Sequence, residues 1–508
     1  MAVLINNVSY RLKMYGEDEQ ILIRNKEYIP YEKWIVPNKV KYGDEAFVFT
    51  VNVPNGDLDF YIPLNGYITS GITQNVPYNW AIEWGDNTTE TKSGNSSNAN
   101  TNWIQHTYTT QGTYTIIIKP VVDDYAWMRA WSFLTTVLGN SNMVSNKEKI
   151  ISFDYVTNKS FMESNTSYGQ NYLRQLATGT KITSPINEVK IINENNITNI
   201  DHYFKYAQYY NCTNLISPEI EVLPDSITNI NSNFRYQQYY GCSNLTSTAT
   251  EVLPNSVKTI GSNFRQNQYH SCSKLTTTTV EVLPNGVTNI GDSFRNNQYY
   301  SCINISTPAI EVLPSSVTSI GASFRYQQYW GCSNLTSVAI EVMSNGITYI
   351  GGSFRQNQYW GCINLTSITA EILPNNVTSI GANFRQNQYN LCSKLTVPAT
   401  EAMPNSVTTV GNNFRYAQYN NCTNILIGNH VHIRMDEFIN IGPNSTNTSY
   451  YNIFNVSTAK IDSDTIPNYK DINGNIYPIT NLTPAVRKQY CLNRTGIDGY
   501  TNLATNWK

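Results

Sequence analysis

The sequence predicts a mostly β chain with short helices: a small β-sandwich, a solenoid of eight 30-residue coils, and a C-terminal cap. Three observations lead there. Counting by thirty lands on Cys212, Cys242, Cys272, Cys302, Cys332, Cys362, Cys392 and Cys422, with no insertion between them. A Phe stands eight residues before each Cys, from Phe204 and Phe234 through Phe324 to Phe414, and a Gln-Tyr pair falls between. Residues 45–120 carry short alternating runs bounded by turn residues. A period this strict means one unit stacked on its copies, because a single unit cannot bury its own apolar face.

Bulk composition narrows the function. At 508 residues the chain exceeds one globular domain. A net charge of -2 with 14% charged residues offers no basic field for nucleic acid or anionic lipid. No run approaches the roughly 18 apolar residues of a membrane span, so membrane insertion is not expected. Met1-Ala2-Val3-Leu4-Ile5-Asn6-Asn7 does not read as an export signal. No phosphate loop, dinucleotide fingerprint, nucleophile elbow or zinc spacing occurs, so neither an enzyme nor a cofactor is expected.

Along the chain, residues 1–44 are polar and aperiodic and read as an attachment segment. Within 45–120, Phe47 to Val53, Asn79 to Trp84 and Tyr114 to Ile118 read as strands of the sandwich. Residues 121–189 read as a connector closing the first end of the solenoid. Asp123 and Asp124 stand ready there to cap a helix that Gly139 stops. The solenoid occupies 190–425 and the cap 426–508. In the coil that begins at Glu311, Val317–Ile320 and Leu335–Ile340 alternate like strands, punctuated by Pro314 and Gly321. Ser323 to Gly331 reads as a short helix with Ser at the N-cap and Gly at the C-cap.

Two resemblances follow from these residues. Trp84-Gly85-Asp86-Asn87, His106-Thr107-Tyr108 and Gly112-Thr113-Tyr114 resemble the polycystic-kidney-disease (PKD) domain, an immunoglobulin-like fold that acts as spacer or contact module. Asn87 stands where that family usually has Gly. Phe324, then Gly331-Cys332-Ser333-Asn334-Leu335-Thr336-Ser337, together with Leu-Pro-Asn-Ser-Val-Thr, resembles the BspA-type leucine-rich repeat, although that family's coil is shorter. The pairing is of the kind found in phage-associated tail and fibre proteins and in bacterial surface adhesins.

Comparing the copies locates a candidate surface. At about 100° per residue around a helix, Phe234, Arg235, Gln238 and Tyr239 share one half and recur in nearly every coil. Tyr236, Gln237 and Tyr240 share the other half and change from coil to coil. A merely solvated face favours Lys and Glu; here the changing positions hold Tyr, Trp, Gln and Asn. Rings beside amides suit stacking on sugars or burial of a protein partner. The candidate stripe is Tyr236, Tyr240, Tyr300, Tyr326, Trp330 and Trp360, with Gln356 and Gln386 as hydrogen-bonding members.

The remaining columns read as structural: Phe234 and Phe324, Cys242 and Cys332, Arg325 and Glu311. Stacked cysteines sit at about 4.8 Å, too far for a disulfide, and read as buried thiols. Like charges in an Arg column repel, so the matching Glu column (Glu221 to Glu401) is expected to interleave with it; anion capture is the alternative. His430 and His432 project from one strand face, either as plain surface histidines or as a weak metal candidate at a trimer axis. Asp462-Ser463-Asp464 and Asp471-Ile472-Asn473-Gly474 read as turns, and Asp86 as a turn cap.

The functional expectation is a non-catalytic recognition protein of a phage or phage-like particle, binding a bacterial surface glycan or protein through the solenoid. The N-terminal region would contact other virion proteins, with a homotrimer as the assembly. The alternative is an exported bacterial adhesin; a polysaccharide-acting enzyme ranks last for want of paired carboxylates.

Overall fold

A computed structural model gives the fold. It describes residues 46–63, 76–96, 103–121, 142–157, 173–219 and 221–396 with few interruptions, and short pieces within 2–30, 167–168, 401–432 and 453–508. The predicted helix after Asp123 and the turn at Asp471 lie outside the described residues.

Two antiparallel hairpins come first, β1 (Ala2–Ile5) with β2 (Val8–Arg11) and β3 (Gln20–Ile23) with β4 (Glu27–Pro30). The antiparallel β domain follows with β5 (Phe47–Val53), β6 (Asp59–Pro63), β7 (Val76–Glu83), β8 (Thr89–Ser96), β9 (Trp103–Thr107) and β10 (Gly112–Pro120). Helix α1 (Asn142–Lys149) leads into β11 (Ile150–Thr157), which pairs with β5 and extends the sheet beyond Pro120. That sheet runs β11-β5-β10-β7-β8, with Val189–Lys190 as a parallel edge on β11. A second sheet pairs β6 with β9. The strands alternate because one face is buried: Phe47, Phe49, Val51 and Val53 turn into a core shared with Phe60, Trp80, Trp84, Ile116 and Phe153.

Beyond the β domain the chain winds as a β-solenoid of 30-residue coils. Its longest sheet is parallel and nine-stranded, running from Ser167–Tyr168 through Asn199–Ile200 and each thirtieth residue to Thr409–Val410. The inward Ile of each strand is buried, as Ile230, Ile290 and Ile320 show, while Thr259, Asn289 and Ser319 face outward. A second wall is built from Glu-Val pairs, Glu281–Val282, Glu311–Val312 and Glu341–Val342 among them. Parallel pairing in register puts each residue on its own copy thirty positions away.

The third wall departs from the sequence reading: Ser323 to Gly331 is not a helix. Asn233, Arg235 and Gln237 have φ of 62°, 53° and 56°, a left-handed conformation at alternate residues that no α-helix contains. Backbone N–H groups alternate as well. Those of Asn233, Gln237 and Tyr239 reach the next coil, at Ser262 O, Gln266 O and Gln268 O. Those of Tyr236, Gln238 and Tyr240 turn back three residues. A helix would satisfy every N–H within itself; here half of them tie coil to coil. Asn recurs at position 233 and its copies because it tolerates the left-handed region, not because it caps; Ser293, Ser323 and Ser353 take the same conformation, with φ of 57–58°. Gly241, Gly331 and Gly361, with φ of 71–74°, are left-handed for the same reason.

Inside, identical residues stack. The Phe column from Phe204 to Phe414 has ring centroids 4.8–5.4 Å apart and nearly parallel planes. Phe234 and Phe324 are fully buried within it. The Tyr239 column runs beside it, and hydroxyls such as those of Tyr329 and Tyr359 accept the N–H of Ala309 and Ala339. All nine cysteines are buried thiols. Cys242 and Cys332 each donate their S–H to the Tyr carbonyl of the coil before, Tyr209 O at 3.0 Å and Tyr299 O at 3.1 Å. Toward the C-terminus a helix spans Pro484–Thr495, and Cys491 and Trp507 are buried nearby in the chain. Among the described residues no helix is long and apolar enough to cross a membrane.

Candidate recognition surface

The turn wall presents its residues in two classes. Phe234, Arg235, Gln238 and Tyr239 and their copies are buried, whereas Tyr236, Tyr240 and theirs are in most coils half-buried. The helical wheel divides these residues in the same way but for a different cause. Side chains are sorted by alternating turn geometry, and the angles of a helix do not apply.

At the Tyr240 position the rings form one continuous stack: Tyr210, Tyr240, His270, Tyr300, Trp330 and Trp360. Successive centroids lie 4.8, 4.3, 4.5, 5.6 and 4.4 Å apart, with planes within 16° of parallel. Ring faces are therefore occupied by neighbouring rings, and edges and polar tips turn outward. A sugar meets hydroxyl, imidazole and indole edges over most of the ladder, and a ring face only where a stack is interrupted. Burial pushes the His270 imidazole down to about 4, and its Nδ1 lies 2.8 Å from Ser271 Oγ. The ladder is uncharged at neutral pH.

The Tyr236 position is less uniform. Tyr206 stacks on Tyr236 at 4.9 Å, then Gln266 and Asn296 interrupt the rings. Tyr326 stands without a ring partner among the described residues. Gln356 Nε2 donates to Gln386 Oε1 at 3.1 Å, which fixes the two amides as a pair. Tyr236, Tyr240, Tyr300, Tyr326, Trp330, Trp360, Gln356 and Gln386 are thus drawn onto one wall in two adjacent columns. Tyr210 and His270 belong to the same ladder. The thirty-residue count from Tyr240 reaches both.

Charge lies behind this surface, not on it. Arg235 and each of its copies to Arg415 is buried. Between the coils, Arg295 Nη1 lies 3.1 Å from Glu311 Oε1, and Arg325 Nε 2.8 Å from Glu311 Oε2. Arg325 Nη1 then lies 2.6 Å from Glu341 Oε2, which Arg355 Nη2 also approaches at 2.8 Å. Cation and anion alternate, so each like-charge repulsion is offset by two attractions. In the first coil Lys205 pairs with Glu219, two residues short of the expected column. Gln328 and Gln358 donate to Glu311 and Glu341, and the Gln238 column links its amides coil to coil.

The remaining candidates sit apart. Asp86 Oδ1 accepts the Thr88 N–H at 3.0 Å, as a turn cap does, and Oδ2 lies 2.8 Å from His106 Nε2. Burial raises this carboxyl, but the Thr88 and His106 hydrogen bonds outweigh it and hold the group low. His106 stacks on Trp84 at 4.4 Å, and the Tyr108 hydroxyl donates to Trp84 O. These contacts tie the β domain's turn together. His430–His432 forms a strand paired with Lys460–Asp462; their side chains lie outside the described set. No His, Cys, Asp and Glu group among the described residues is arranged to hold a metal.

Compared with protein-family models, with curated proteins and with solved structures, the chain matches none.

Proposed function

We propose that this is a non-catalytic recognition protein whose turn wall binds a bacterial surface glycan or protein. One observation carries the reading: inward columns repeat one residue type, while the adjoining outward columns change and take Tyr, Trp, His, Gln and Asn. Lys and Glu, the usual residues of a face that only meets water, are missing from both. Rings held in a stack lose little entropy on binding and present large area.

Carriage on a phage or phage-like particle, with the N-terminal hairpins and β domain as attachment and the chain as a trimer, rests on the sequence resemblance alone. Antibody labelling of purified particles and of intact cells separates that location from an exported adhesin. Binding of the purified protein to intact bacterial cells tests recognition itself. Trp330→Ala with Trp360→Ala is expected to weaken binding at least tenfold; unchanged binding removes this wall as the contact surface.

A further inference from the structure

One coil step, from Asn296 to Tyr326, differs from its neighbours in four ways. The first is in the backbone. Arg235, Arg265 and Arg295 donate their N–H back to Phe204, Phe234 and Phe264, at 2.8, 2.9 and 3.0 Å. Arg325, Arg355 and Arg385 donate forward instead, to Phe354, Phe384 and Phe414, at 2.9, 2.8 and 2.7 Å. The first three have φ of 53–57°, whereas the later three are not left-handed. The N–H and C=O of a trans peptide point opposite ways, so this peptide is inverted between the two coils. Phe294 O and Phe324 O consequently both turn toward the same interval, and neither accepts a backbone hydrogen bond from the described residues.

The other three differences lie on the outer surface of the same step. The ring ladder opens here to 5.6 Å, between Tyr300 and Trp330, its widest interval. In the neighbouring column Asn296 is shorter than Gln266 before it and Tyr326 after it, and it is 9% exposed. Its Oδ1 is buried with no hydrogen-bond partner among the described residues, and beside it Asn297 Oδ1 is unmet as well, as is that of Asn357 two coils on. Tyr326 stands between this short residue and Gln356. A buried amide oxygen without a donor is costly, and an arriving hydroxyl relieves it.

Resting on the recognition reading above, we infer that this step is the primary subsite for a neutral sugar. Hydroxyls donate to Asn296 Oδ1 and Asn297 Oδ1, and the face of Tyr326 toward Asn296 packs on the C–H face of the pyranose. Neutrality follows from the surroundings. The nearest guanidinium groups, Arg295 and Arg325, are buried against Glu311, so no cation faces an acidic sugar. Paired amide oxygens also disfavour a carboxylate.

The test uses full-length protein on immobilised bacterial surface polysaccharides and on intact cells, with free neutral monosaccharides as competitors. Asn296→Gln fills the gap as Gln266 does, and Tyr326→Ala removes the ring. Each is expected to weaken binding at least tenfold with an unchanged thermal transition. Thr259→Ala, on the outward face of the nine-stranded sheet, leaves binding within twofold. If both variants bind like wild type while Trp330→Ala with Trp360→Ala does not, this subsite is wrong and the recognition wall stands. If binding is confined to acidic polysaccharides and collapses with salt, the neutral-sugar assignment is overturned. Wild-type protein that binds neither polysaccharide nor cells ends the recognition reading, and the subsite with it.

Discussion

Arg325 Nε lies 2.8 Å from Glu311 Oε2, and both side chains are completely buried. The pair belongs to an alternating row that continues to Arg295 on one side and Glu341 on the other. Removing one member leaves a buried charge without its counterion. Glu311→Ala is therefore expected to destabilise the solenoid by about 3–5 kcal/mol, measured by denaturant unfolding. Destabilisation under about 1 kcal/mol would mean that the row is solvated in solution.

The same carboxyl sets an acid sensitivity. Burial alone raises Glu311, but attraction to Arg295 and Arg325 and hydrogen bonds from Gln328 and Arg325 prevail and hold it below the ordinary value. A depressed folded-state value stabilises the protein above the unfolded-state value of about 4.3. That contribution fades as pH falls through the folded-state value. Melting temperatures of wild type and Glu311→Gln should differ at pH 7 and draw together as the pH falls below about 4.3. Parallel curves across that range contradict the linkage.

The cysteine column is expected to be chemically silent. Burial pushes the Cys212 thiol up to about 11 and Cys302 up to about 12, so almost no thiolate exists at pH 8. A thiol-specific chromogenic reagent should react with none of the nine in the folded protein and with all nine in guanidinium. Rapid labelling of the native protein would show that the solenoid breathes open.

Gly331 tests the turn wall against the helix that its sequence imitates. Its φ is 71°, yet an added Cβ meets nothing closer than Ser301 Oγ at 3.5 Å. Any cost of substitution is conformational. Gly331→Val should cost at least about 1–2 kcal/mol, whereas Gly331→Asn should cost much less, because Asn211 and Asn421 already hold this conformation. Similar losses for both changes would point to crowding instead.

Much of this was readable before any coordinates. With no insertion in the count, Phe234 had to meet Phe264, and Cys242 had to meet Cys272. The Arg and Glu columns announced their own neutralisation. The turn wall was not readable, for a specific reason: Asn or Ser followed eight residues later by Gly fits both a capped short helix and a run of left-handed turns. Choosing between them depends on hydrogen bonds to the next coil, a partner thirty residues away that local patterns do not contain. The inversion between Arg295 and Arg325 left no mark at all, since both coils carry the same Ser-Phe-Arg. Asn296 was visible as the smallest residue in a changing column, but only the unmet oxygen behind it gave that smallness a meaning.

Because the coils on either side of the Arg295–Arg325 step each hand their successors one docking chemistry, a whole repeat there can be excised from or duplicated in the gene, and the ends still fit. Length is thus the trait most easily altered in this molecule by unequal recombination. Each such event shortens or lengthens the outward display by a full rung and leaves the remaining rungs in place, so specificity can be reshuffled without the fold being reinvented.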